Sequence, residues 1–134
     1  MASWPGSGVN GEMLRSILTD RKEEVGAQLL SRLDQLEMSI TTALWYYYGD
    51  SNNWRLIIAS PGVRRKGPKH FYQVIQSFLL KLRDRPISLS EIQVIDDNDP
   101  FVLWLRSSYG NLGKVTDAHL DQLITGAVVY RWPE

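Results

Sequence analysis

Apolar residues recur at steps of three and four in two separate stretches of this chain, and the run between them follows a different rule. In the first stretch Leu14, Ile17 and Leu18 lead into Val25, Leu29, Leu30, Leu33 and Leu36. Arg21, Lys22, Glu23, Glu24, Arg32 and Asp34 mostly fill the opposite positions. That spacing predicts a long amphipathic helix from Glu12, with Asn10 as its cap. Gly26, in its middle, costs about 1 kcal/mol relative to Ala and allows a kink there. The second stripe, Phe71, Val74, Ile75, Phe78, Leu79 and Leu82, opens behind Pro68, which suits a first helical turn. Asp84-Arg85-Pro86 closes it.

Between them, residues 40–48 admit two readings. Leu29, Leu33, Leu36, Ile40, Ala43 and Tyr47 would continue the helical spacing, whereas Ile-Thr-Thr and Trp-Tyr-Tyr-Tyr are the β-branched and aromatic residues that strands favour. The turn cluster Gly49-Asp50-Ser51-Asn52-Asn53 and the strand-like run Trp54 to Ser60 behind it favour a hairpin. Ile92 to Ile95 is a short strand, and Asp99-Pro100 has the signature of a helix start, with Phe101, Trp104 and Leu105 on one face. After a loop at Gly110–Gly113 and a helical turn over 117–123, Ala127 to Trp132 reads as the last strand. The order predicts an α+β domain: a long N-terminal helix, a β-hairpin, then further alternation of helix and strand. The result is a mixed sheet of about four strands with helices packed on it. Residues 1–10, rich in Ser, Pro and Gly, read as a flexible lead-in, and residues 11–134 as one domain.

Composition narrows the function classes. Apolar residues at 43% and charged residues at 22% are ordinary for a globular chain and argue against disorder. No run approaches the roughly 18 apolar residues of a membrane span, and Met1 to Gly11 lacks the features of a secretory signal. A cytoplasmic location with no membrane partner is the expectation. With no Cys, disulfides, thiolate metal sites and cysteine nucleophiles are excluded. Fifteen basic and fifteen acidic residues cancel, yet unevenly. Residues 61–85 hold seven basic and one acidic group, net +6, while the stretches on either side are net acidic. Such asymmetry can mark an anion-binding surface.

The basic segment Val63-Arg64-Arg65-Lys66-Gly67-Pro68-Lys69-His70 is expected to run as a loop into a helix start. Free N–H groups and the positive end of the dipole favour an anion there, and Arg64, Arg65, Lys66, Lys69 and His70 are the candidate nucleic-acid or phosphate contacts. It is not a phosphate-binding P-loop, because Pro68 stands where Lys is required. The plainer alternative is a solvated basic loop.

Asp96, Asp97 and Asp99 invite a metal reading of the kind nucleases use, but no Glu-X-Lys partner accompanies them, and capping and turn formation account for them equally. His70 and His119 are too few for a zinc site built on histidine; His70 sits among cations, and Asp117 and Asp121 flank His119 only on a short surface helix, so neither is assigned a catalytic role. The aromatic row Trp45, Tyr46, Tyr47, Tyr48 and Trp54 could stack bases, although alternation puts at most about half on one face, and core filling is the alternative. Trp54 to Pro61, with Gly67-Pro68 and Tyr72, loosely resembles uncharacterised bacterial proteins and implies no activity.

No metal, cofactor or catalytic residue is therefore assigned. The first functional expectation is a non-catalytic binding or accessory protein. It would meet a protein partner, or a second copy of itself, through the N-terminal helix at Leu14, Ile17, Leu18, Val25 and Leu29. The second is nucleic-acid or phosphate-ligand binding through residues 64–70. The third is a metal-dependent nuclease-like enzyme.

Overall fold

A computed structural model describes residues 18–48, 53–109 and 127–132. Thr19 keeps an extended backbone (φ −74°, ψ 158°), and its hydroxyl accepts the Lys22 N–H at 3.2 Å. A capped helix starts there: α1 runs Asp20–Gln35, with Asp20 and Glu23 in its first turn facing the positive end of the dipole. The expected helix start at Glu12 and cap at Asn10 lie outside the described residues. Val25, Leu29 and Leu33 are fully buried, so the predicted stripe is the packing face.

The hairpin reading of the next segment is the one the chain adopts. β1 (Thr42–Tyr48) pairs antiparallel with β2 (Asn53–Ala59), Leu44 opposite Ile57. The cationic run that follows, expected as loop, is instead one helical turn, α2 (Gly62–Lys66). Gly67 ends it at φ +80°, a left-handed conformation that glycine adopts without strain. α3 spans Lys69–Leu80 and ends before the Asp84-Arg85-Pro86 stop expected from the sequence. A 3₁₀ turn at Leu89–Glu91, closed by a capping box between Ser88 and Glu91, leads into β3 (Ile92–Ile95). α4 (Pro100–Tyr109) starts where Asp99 accepts the Phe101 N–H at 2.9 Å. β4 (Ala127–Arg131) completes the sheet.

Sheet order is β3-β2-β1-β4, with β2 and β3 parallel across α3 and the other pairs antiparallel. Strand alternation gives each face its own core. Ala43, Trp45, Leu56 and Ile58 meet α1 and α3 on one face. Leu44, Ile57, Ala127 and Val129 meet Val102 and Leu105 of α4 on the other. The tyrosine row divides by the same rule: Tyr47 packs against Trp54 on the first side, while Tyr46 and Tyr48 join Phe101 on the second.

β4 breaks its own alternation. Leu44 stands opposite Val129 and Ala43 opposite Arg131, so Tyr130 is the extra residue of a β-bulge. The bulge turns two consecutive side chains toward α1. Tyr130 Oη donates to Glu23 O at 2.6 Å and accepts Trp45 Nε1–H at 3.0 Å. Arg131 holds the Asp34 carboxylate through both terminal nitrogens, at 2.8 and 3.1 Å, and donates to Ile40 O at 2.8 Å. Trp132 then falls into the opposite core. One irregular residue thus fastens both ends of α1.

Candidate functional site

Ser60, buried at the end of β2, organises the region where the cationic segment sits. Its hydroxyl donates to Met38 O at 2.8 Å and accepts the Gly62 N–H at 3.0 Å, while its own N–H donates to Ile95 O at 3.1 Å. The turn after α1, the start of α2 and the end of β3 are joined at one residue. Gly62 is buried against α3: a Cβ there would lie 3.0 Å from the Phe71 ring, so a larger residue would push α2 off α3.

The five basic-segment residues do not form a single cluster. Arg64 turns across to the loop after β3, where one terminal nitrogen reaches Asp96 at 2.5 Å and Asp97 at 2.7 Å. The Asp97 hydrogen bond raises the Arg64 pKa further above its ordinary value. Desolvation pushes Asp96 up, but the Asn98 N–H, its hydrogen bond with Asp97 and the Arg64 charge outweigh it and hold the carboxyl below its usual range. The leading anion candidate and the leading metal candidates therefore occupy each other. Among the described residues no three His, Asp or Glu come together in a metal-holding group. Arg65, Lys66 and His70 face the other way, toward the end of α1, while Lys69 is exposed outside that group. None of the four makes an ion pair among the described residues. Pro68 caps α3 without a side-chain hydrogen bond. His119 lies outside the described residues.

Arg65, Lys66 and His70 border a hollow of about 90 Å³ floored by Leu36, Met38 and Phe71. It meets a second, of about 190 Å³, where Leu36, Val74 and Phe78 form the floor and Arg32 and Lys81 stand at the edge. Together they make a groove along α3, bounded on its other side by the last turn of α1 and the turn after it. Leu36 is 42% exposed although it belongs to the predicted stripe, because the helix ends before it. Glu37 and Ser39 follow with φ of +57° each, a left-handed conformation uncommon for residues with a side chain. Val74 and Phe78 are only half-buried, so the α3 stripe is not uniformly core: Phe71, Ile75 and Leu79 are buried, and the flank faces the groove.

The expected partner surface on the N-terminal helix needs a correction too. Leu18, Val25 and Leu29 are buried beneath this chain's own sheet and α3, so that face is already filled. Leu14 and Ile17 lie outside the described residues. A third hollow, on the other side of the sheet end, is lined by Thr41, Asp97, Arg106, Arg131 and Trp132. Its Asp97 and Arg131 are held by Arg64 and Asp34, and Arg106 makes no ion pair among the described residues.

The groove was missed in sequence because exposure of Leu36 depends on where α1 ends, and Arg32 and Lys81 are unremarkable surface residues until α1 and α3 lie side by side. No family model matches the chain, and no curated protein or solved structure matches it significantly. No helix among the described residues is long and apolar enough to cross a membrane.

Proposed function

We propose that this chain is a non-catalytic binding protein that docks a segment of a protein partner in the groove between α1 and α3. The observation that carries the reading is Leu36, an exposed leucine beside half-buried Val74 and Phe78 in a concave strip between two helices. Such a strip suits the helix-in-groove mode, in which a partner lays apolar residues spaced three and four apart into a cleft. A display selection of random 16-residue peptides on the native protein, counter-selected on the Leu36→Glu variant, tests it. Enriched peptides should protect α3 and the 36–39 turn from amide exchange. Peptides that bind the variant equally well, or protect another surface, sink the reading.

A second reading, binding of phosphate groups or nucleic acid, is favoured by Arg65, Lys66 and Lys69 having no carboxylate partner among the described residues. With Arg64 already committed, at most three side chains meet phosphates, and the log–log salt slope on duplex DNA should be no steeper than about −3. Anisotropy titrations with oligonucleotides at several salt concentrations measure that slope, and no binding at low salt removes this reading.

A further inference from the structure

We infer that the segment this groove takes is an acidic amphipathic helix, an inference that rests on the groove reading above and specifies its partner. The floor is apolar and the borders are cationic at both ends. Arg65, Lys66 and His70 border one end, and Arg32 and Lys81 the other. Among the described residues Glu37 is the one carboxylate lining either hollow. Arg65, Lys66, Arg32 and Lys81 make no ion pair among the described residues; Arg32 donates only to Gln35, at 3.3 Å. Elsewhere on the described surface Arg21, Lys22, Arg64 and Arg131 all have carboxylate partners. Arg55, Lys69, Arg83, Arg85 and Arg106 also lack a carboxylate partner among the described residues, but none of them borders this apolar floor, where four unpaired cations stand around Leu36, Val74 and Phe78.

Length adds to the match. From His70 to Lys81 α3 advances about 16 Å at 1.5 Å per residue, which a partner helix of three turns would cover. Such a helix would set two or three apolar anchors over Leu36, Val74 and Phe78. Its acidic residues would fall at either end, opposite Arg65 and Lys66 on one side and Arg32 and Lys81 on the other. A nucleic-acid strand is a poorer match, since it would present its phosphates to Leu36 and Val74 along the floor, where there is no cation to receive them.

Partly exposed ion pairs are each worth about a twofold change in affinity, and four of them together about tenfold or more. Three synthetic 16-residue helices with identical leucine anchors but glutamate, glutamine or lysine at the ends would be titrated by fluorescence anisotropy against the full chain. The expected order of affinity is glutamate, glutamine, lysine, with about tenfold between the first two at low salt. The spread should shrink severalfold at about 0.5 M salt, where the Debye length is only a few ångströms. Leu36→Gln should weaken all three, and the pair Arg65→Glu with Lys66→Glu, which leaves Arg32 and Lys81 in place, should largely abolish the difference between the glutamate and lysine peptides while the melting temperature stays within a degree or two. Binding that needs Leu36 but ignores end charge overturns the acidic partner and leaves the groove standing. No peptide binding, or binding indifferent to Leu36→Gln, overturns both. Displacement of the peptide by an oligonucleotide of higher affinity, or a dimer abolished by Leu36→Gln, overturns the inference in favour of nucleic acid or of a second copy of this chain.

Discussion

Replacing Gly26 by Ala should destabilise the protein, although helix propensity alone says the opposite. In a free helix the change gains about 1 kcal/mol. Here the Gly26 Cα lies against the Tyr130 ring: an added Cβ would stand 2.9 Å from Tyr130 Cζ and 3.1 Å from Trp45 Nε1, and closer still to the hydroxyl oxygen. Neither neighbour can yield cheaply. Tyr130 Oη bonds Glu23 O and Trp45 Nε1, and Trp45 is fully buried. Overpacking costs about 1–3 kcal/mol. If Tyr130 moves instead, the Trp45 N–H loses its acceptor in the core, at about 1–3 kcal/mol. After subtracting the propensity gain, the expected net loss is up to about 2 kcal/mol, read as a lower urea midpoint at unchanged slope. A double-mutant cycle makes the test specific. In a Tyr130→Phe background the nearest atom is gone, so Gly26→Ala should cost at least 1 kcal/mol less than in the native chain. Stabilisation by Gly26→Ala, or an equal cost in both backgrounds, would refute the steric reasoning.

Two further outcomes follow from polar groups in the core. Thr42 is fully buried and its hydroxyl has no hydrogen-bond partner among the described residues, so Thr42→Val should be neutral or stabilising by up to about 1 kcal/mol in the same urea melts. Burial, only partly offset by the Trp45 hydrogen bond, pushes the Tyr130 hydroxyl up to about 12 from 10.0. A folded pKa above the unfolded one means that its contribution is complete below pH 10 and is lost as pH climbs toward 12. Stability measured across that window should fall less steeply in Tyr130→Phe than in the native chain.

The legible parts of the sequence were those whose signal is local and repeated. Val25, Leu29 and Leu33 announce a buried helix face by spacing alone, and Asp99-Pro100 marks the start of α4 with two residues. α2 escaped notice because five residues are too few to display a period, and three of them are cations that read as solvent-facing in any conformation. The Arg64 pairing with Asp96 and Asp97 joins residues more than thirty positions apart, and nothing in either stretch names the other. The β4 bulge is equally silent: in Ala127-Val128-Val129-Tyr130-Arg131 no residue type marks where the alternation slips. For the candidate site, positive charge was visible but its direction was not. Whether a cation faces a groove or a carboxylate depends on neighbours supplied by other elements.

The fastening of α1 by Tyr130 and Arg131 has a consequence in time. Glu23 and its partner Tyr130 are separated by 107 positions. At synthesis rates of about 5–20 residues per second, the helix waits about 5–20 s after it is made before its clasp exists. A lone helix of sixteen residues is marginal in water, and its leucine stripe stays uncovered until the sheet forms. During those seconds the newborn chain displays the apolar face that the finished fold conceals. A chaperone that recognises amphipathic helices would find its target then and lose it once β4 closes, so arresting synthesis just before Tyr130 should lengthen that encounter.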